Sequence, residues 1–303
     1  MERRGFIKKI GLGSAVLSAA GTMSLPAFAQ DKKAAPFNMD FAPHFGMFKN
    51  HAPGGLVDEL KFMADQGFRS LEDNGMLGRS VADQELIAKT MTDLGMRMGV
   101  FVVDGGDNWK VSLTTGKQEF LDKFLETCRR SVEVAKRVNA RLMTVVPGYF
   151  ERNLPIGVQT GNVIEALKRG AEIFEPHGLT MVLEPLSDNP DLFLRHADQS
   201  YMICKAVGSP SCKILYDIYH MQRNEGNLIA TMDKTWSEIA YIQIGDNPGR
   251  KEPGTGEINY SNVFKWIHEK GFTGVMGMEH GNAKPGKEGE IALIEAYRKV
   301  DIA

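Results

Sequence analysis

From Phe37 onward, short apolar runs alternate with longer stretches whose apolar positions recur every three or four residues. The short runs cover residues 41–48, 68–74, 96–103, 141–147, 179–186, 213–220, 239–246 and 274–280. Most are continuously apolar, the pattern of parallel strands covered on both faces. The longer stretches predict helices. Leu56, Leu60 and Met63 mark one stripe, and Val81, Leu86, Ile87 and Leu94 a second. A long helix spans 120–138, and Val163, Ile164, Leu167 and Ile173 mark the next. Four more follow near 196–206, 226–235, 260–270 and 287–300. Gly67, Gly95, Gly178, Gly208 and Gly271 stand where left-handed helix caps are expected, each a few residues before a strand. Eight strand–helix alternations predict a single-domain α/β protein, a (β/α)8 TIM barrel, over residues 37–303. A doubly wound open sheet would more often carry a glycine-rich phosphate loop after its first strand. Gly54-Gly55 lacks that spacing and instead opens the first helix.

Polar residues at the strand ends change the picture. Glu184 follows Met181-Val182-Leu183 and precedes Pro185, which ends strand pairing. Asp217 follows Ile214-Leu215-Tyr216, Gln243 sits within Tyr241-Ile242-Gln243-Ile244, and Glu279 follows Gly277-Met278. They recur about every 30 residues, on successive predicted strands. A lone carboxylate at a strand end also serves as a helix cap. Four such residues on four strands of one barrel converge on one face and make an oxygen-rich cage for a hard divalent cation. Mn²⁺ or Mg²⁺ suits it, with Co²⁺ as a third candidate. No cysteine or paired-histidine cluster suggests structural zinc. His220, three residues after Asp217, is either a substrate ligand or a structural histidine. Arg250 lies in a Pro- and Gly-rich loop above its strand, where a guanidinium can hold a carboxylate or hydroxyl. His44 and Glu72, on the first two strands, point to the same mouth as further candidates for substrate contact.

Bulk composition then narrows the partners. Of 303 residues, 43% are hydrophobic and 24% charged, with a net charge of −2, so no broad basic surface recruits nucleic acid. Only seven histidines are present, few for a multi-zinc nucleic-acid repair barrel. Residues 1–29 read as an export signal: Arg3-Arg4-Gly5-Phe6-Ile7-Lys8, a weakly apolar run, then Ala27-Phe28-Ala29 before a cleavage point. This pattern resembles a twin-arginine signal, so the expected partner is the twin-arginine translocation machinery and the expected destination the periplasm. A retained membrane anchor is the alternative, against which the run is short and rich in Gly, Ser and Ala. Residues 30–36 form a short leader. Cys128, Cys204 and Cys212 are an odd count for an exported disulfide framework. Buried free thiols are the simpler expectation, with a Cys204–Cys212 bridge left open.

The stretches from Tyr216 to Gln222 and from Tyr241 to Arg250, the latter continuing from Glu252 to Tyr260, resemble the hydroxypyruvate isomerase family. That family belongs to the xylose isomerase-like TIM barrels, which include sugar isomerases and ketose 3-epimerases. The resemblance covers the whole barrel. It implies that Glu184, Asp217, Gln243 and Glu279 bind the metal, that Glu184 and Glu279 exchange protons with substrate, and that His220 and Arg250 contact substrate oxygens. It differs at Pro43-His44-Phe45-Gly46 and in carrying an export signal, both of which bear on the substrate. The expected enzyme is a metal-dependent isomerase converting hydroxypyruvate to 2-hydroxy-3-oxopropanoate (tartronate semialdehyde) through an enediolate. A sugar or keto-sugar isomerase or epimerase of the same superfamily is the second reading, and a non-catalytic sugar-binding barrel the third. Either enzyme is compatible with a homo-oligomer.

Overall fold

The computed structural model describes residues 33–302. The expected signal peptide, the cleavage point and residues 30–32 of the leader lie outside the described residues. The strands are β1 (Asp40–Ala42), β2 (Ser70–Leu71), β3 (Arg97–Met98), β4 (Val100–Val102), β5 (Leu142–Val145), β6 (Thr180–Leu183), β7 (Cys212–Asp217), β8 (Ile239–Gln243) and β9 (Val275–Gly277). The helices are α1 (Leu56–Asp65), α2 (Val81–Leu94), α3 (Gln118–Val138), α4 (Ile156–Phe174), α5 (Ala197–Val207), α6 (Ile218–Asn224), α7 (Leu228–Thr235), α8 (Tyr260–Glu269) and α9 (Gly286–Val300). All pairings between these strands are parallel.

Seven strands run in the order β1-β9-β8-β7-β6-β5-β4, and β2 pairs with β3. The β2–β3 pair bridges the two edges of that sheet. Glu72 N–H donates to Pro43 O (2.9 Å), and Asp73 N–H to Val100 O (3.3 Å). The result is a curled barrel of eight staves, with β3 and β4 forming one stave broken at Gly99. A side chain at Gly99 would put its Cβ 2.5 Å from the Tyr241 hydroxyl, so the break makes room for that phenol.

Two expected strands need correction. The run 213–220 does not stay extended: Asp217 ends β7 and its Oδ1 accepts from the N–H groups of Tyr219 (2.7 Å) and His220 (3.2 Å), starting α6. This N-cap satisfies helix donors that an apolar strand reading overlooks. The run 41–48 likewise turns away after Ala42. The five cap glycines all adopt positive φ, between 62° and 91°, as expected of left-handed caps. Cys128, Cys204 and Cys212 are buried and free, with the last two sulfurs 4.0 Å apart. Among the described residues no helix is long and apolar enough to cross a membrane.

One layer inside the ring is made by Ala42, Val100, Val182, Leu215, Tyr241 and Val275. Side chains two apart on a strand share a face. Stepping two residues toward the C-terminal end therefore leads from Val182 to Glu184, from Leu215 to Asp217, from Tyr241 to Gln243, and from Val275 through Gly277 to Glu279. The polar layer is thus set directly upon the apolar one by strand periodicity. Each buried Val or Leu contributes about 1.5–3 kcal/mol, against several kcal/mol lost per buried charge, so the apolar layers must carry the acidic one.

Candidate active site

Glu184, Asp217, Glu279 and His220 each present one donor atom, and these atoms lie within 4.8 Å of one another. Donors on opposite sides of a hard cation stand roughly 4–5 Å apart, so the spacing suits a divalent ion. Glu184 is 6% exposed, Asp217 1%, and Gln243 and His220 wholly buried. Gln243 stands in register with Asp217 on β7 and with Gly277 on β9. Glu184 Oε1 and Gln243 Oε1 are both buried without a hydrogen-bond partner. Two orphaned oxygens beside two further acids are what an oxygen-seeking cation would satisfy. Glu184, Asp217, Gln243 and Glu279 therefore fit a divalent metal, and His220 adds a nitrogen to the group.

Electrostatics agree with that fit. Burial, reinforced by the charges of Glu279 and Asp217, pushes the Glu184 carboxyl well above its ordinary range. Burial likewise raises Glu279, opposed by Arg250 and aided by Glu72 and Asp217. Acids held this way retain protons that a cation would displace. Burial lowers the His220 imidazole despite the attraction of Asp217, which favours the neutral ring. Its Nδ1 faces the Ser187 hydroxyl at 2.8 Å, and its Nε2 faces Arg250 Nη2 at 3.1 Å.

Arg250 spans the group from above. Its Nη2 donates to Glu279 Oε2 (2.5 Å) and Asp217 Oδ2 (3.2 Å), while Nε donates to the Glu279 carbonyl (3.1 Å). The guanidinium also stacks over Tyr219. Asp246 builds the loop that delivers it. Its carboxylate accepts from the N–H groups of Gly254 (2.9 Å), Gly256 (2.8 Å) and Ile258 (3.1 Å), and its backbone carbonyl accepts from Arg250 N–H (2.8 Å). We expect Asp246→Ala to lower stability by about 3 kcal/mol, since three backbone donors lose the buried, charged acceptor that orders the loop. KM should rise more than kcat falls as Arg250 loosens. Thermal melting and steady-state kinetics check both; an unchanged melt and KM would reject this role.

His44 and Glu72, expected as substrate contacts, bond to other groups of the chain. The His44 ring nitrogens face the carbonyls of Phe45 (2.8 Å) and His280 (3.1 Å), tying two loops together. Glu72 is 1% exposed. Its Oε2 accepts from the Tyr241 hydroxyl (2.7 Å) and its Oε1 from Gln243 Nε2 (2.9 Å). It lies inside the ring because Gly277 leaves space there. Burial pushes its carboxyl up to about 7, even against the hydrogen bonds from Tyr241 and Gln243.

Three site residues lacked a sequence argument. Asn74 donates to Glu279 Oε1 (2.8 Å). Asp188 stands 3.7 Å from His220 Nε2 and 4.0 Å from Arg250 Nη1. Tyr241 holds Glu72. The available signals were positional: Asn74 two residues beyond Glu72, Asp188 four beyond Glu184, and Tyr241 two before Gln243.

The acidic cluster stands at the C-terminal mouth of a parallel barrel, and sequence comparison identifies the family. The profile of the xylose isomerase-like TIM barrel matches residues 60–300, and the chain belongs to that family. The hydroxypyruvate isomerase of Escherichia coli (strain K12) is 39% identical over 187 residues, 60% of this chain and 69% of that protein. The 2-oxo-tetronate isomerase of Cupriavidus necator is 28% identical over 258 residues, 83% of this chain and 95% of its own length. These relatives define the chain as an isomerase. An AP endonuclease, family 2, from Brucella melitensis superposes with a TM-score of 0.74, covering 86% of this chain and 99% of that one. At 22% identity that likeness shows the fold alone.

Proposed function

We propose that this protein is a metal-dependent isomerase of small α-hydroxy carbonyl acids, interconverting hydroxypyruvate and 2-hydroxy-3-oxopropanoate. The observation that carries the reading is the group of buried Glu184, Asp217 and His220 with half-buried Glu279, together with the unpartnered Glu184 and Gln243 oxygens. Glu184, Asp217, Gln243 and Glu279 would hold the ion, with Mn²⁺ or Mg²⁺ favoured and Co²⁺ a third choice. A bound cation polarises an adjacent carbonyl and lowers the energy of negative charge developing on oxygen.

The chain's own groups supply the proton traffic. One of Glu184 and Glu279 takes a proton from the hydroxyl-bearing carbon of hydroxypyruvate, leaving an enediolate. The other returns a proton to the neighbouring carbon, while the hydroxyl proton passes to the former ketone oxygen, so that the original hydroxyl oxygen becomes the aldehyde oxygen and the ketone oxygen the new hydroxyl. Arg250 and His220, beside both acids, bind substrate oxygens and steady the enediolate. Arg250 also supplies the charge complement for an acid substrate.

The C. necator relative supports a second substrate of the same chemistry, a four-carbon 2-oxo acid. Incubating the Mn²⁺-loaded protein with hydroxypyruvate, 2-oxo-tetronate and a panel of keto-sugars, with products followed by NMR, tests the reading. Tartronate semialdehyde from hydroxypyruvate supports it. Turnover of 2-oxo-tetronate alone moves the substrate by one carbon. Epimerised sugar alone replaces this reading with a ketose epimerase, and binding without turnover replaces it with a sugar-binding barrel. The N-terminal pattern supports periplasmic export with cleavage after Ala29. Residues 1–36 fused to a folded reporter should reach the periplasm only when Arg3 and Arg4 are intact; export of a double Lys variant at the same level would count against the twin-arginine route.

A further inference from the structure

Glu72 is a buried carboxylate reaching from β2 across the barrel interior to β8 and β9, and its environment is built around it. A Cβ at Gly277 would lie 1.7 Å from Glu72 Oε2, and one at Gly99 would lie 2.5 Å from the Tyr241 hydroxyl that donates to that oxygen. Two strand positions therefore give up their side chains to seat one acid–phenol pair. The other carboxylate oxygen accepts from Gln243 Nε2 at 2.9 Å. Nothing accompanies Gln243 Oε1, although it is buried.

We propose that Glu72 is a positioning residue that fixes which end of the Gln243 carboxamide faces the cation cage. Both Glu72 oxygens accept here, one from the Tyr241 hydroxyl and one from Gln243 Nε2, so the amide turns its NH₂ toward Glu72 and its carbonyl oxygen away. The opposite rotamer would set two oxygens against each other and present N–H groups to a cation. Tyr241 holds Glu72 at the correct depth, and Gly277 leaves the corridor open. An outer partner of this kind typically accounts for a 10–100-fold change in metal affinity. The proposal rests on the reading of Gln243 as a metal ligand and assigns Glu72 a role short of touching substrate.

The test measures Mn²⁺ affinity of the whole, metal-stripped protein by calorimetry and by electron paramagnetic resonance of the free ion. Wild type is compared with Glu72→Leu, which removes both acceptors, with Gln243→Ala and with the double variant, each with its circular dichroism melt. The expected result is about 10–100-fold weaker binding in Glu72→Leu. The double variant should bind no more weakly than Gln243→Ala alone, because Glu72 acts through that amide. Wild-type affinity in Glu72→Leu, or a double variant weakened by the product of the two single losses, would overturn the proposal alone. No Mn²⁺ binding by wild type, or wild-type affinity in Gln243→Ala, would overturn the metal reading and the proposal with it. If Glu72→Leu does not fold, Tyr241→Phe keeps the packed ring and removes only the hydroxyl. It should weaken Mn²⁺ several-fold, and unchanged affinity there would overturn the proposal.

Discussion

Glu279→Gln should lower kcat by about 1,000-fold while leaving the barrel folded. Loss of a positioned proton-transfer group typically costs about 100- to 10,000-fold. The substitution keeps the size of the side chain and an acceptor for Asn74 Nδ2, which now bonds Glu279 Oε1 at 2.8 Å. It removes the ion pair to Arg250. Burial already drives Glu279 toward its neutral form, so a neutral amide there should leave the metal-free melting temperature unchanged or slightly higher. Glu184→Gln is expected to behave in the same way, for the same reason. Normal turnover in either variant would remove that glutamate from the chemistry. A collapse of the melt would show that it holds the structure instead.

Stripping the cation is expected to abolish turnover and to make the protein measurably less stable. Without an ion, Glu184, Asp217 and Glu279 crowd one another and share Arg250 as a counter-charge. A ligand at a hundred times its Kd stabilises the native state by about 2.7 kcal/mol, which for a chain of this size is several degrees in Tm. The effect has a direction in pH. The folded carboxyls of Glu184 and Glu279 lie above their unfolded value of 4.5. Their contribution to the metal-free protein is therefore complete below that value and is lost as pH rises through the folded range. A cation displaces those protons, so its stabilising effect should grow as pH rises toward neutrality. Melts with and without Mn²⁺ across that range check this. A shift independent of pH would mean that the ion binds elsewhere.

Part of this site was legible because strand geometry is local. Val182 and Glu184, Leu215 and Asp217, and Tyr241 and Gln243 are each two residues apart, so the face that builds the inner apolar layer also delivers the polar one. The helix caps were legible for the same reason, since each depends on one glycine and one turn. Other features depend on partners far along the chain. Glu72 looked like a mouth residue because nothing near it reveals that Gly277 leaves it room inside the ring. The bond of His44 to the carbonyl of His280 is not legible locally, because the two are 236 residues apart. The helix after Asp217 was hidden for a different reason. Ile218-Tyr219-His220 reads as strand by composition, and only the carboxylate cap at its start turns it into a helix.

The central claim is that Glu184 and Glu279 move a carbon-bound proton beside a divalent ion. The most direct measurement incubates the Mn²⁺-loaded protein with hydroxypyruvate in D₂O and follows deuterium at the hydroxyl-bearing carbon by NMR. The account predicts deuterium uptake with tartronate semialdehyde formation, both lost on chelation and in Glu184→Gln and Glu279→Gln. Tartronate semialdehyde forming at full rate in chelated wild type, or uptake persisting in both variants, would contradict it.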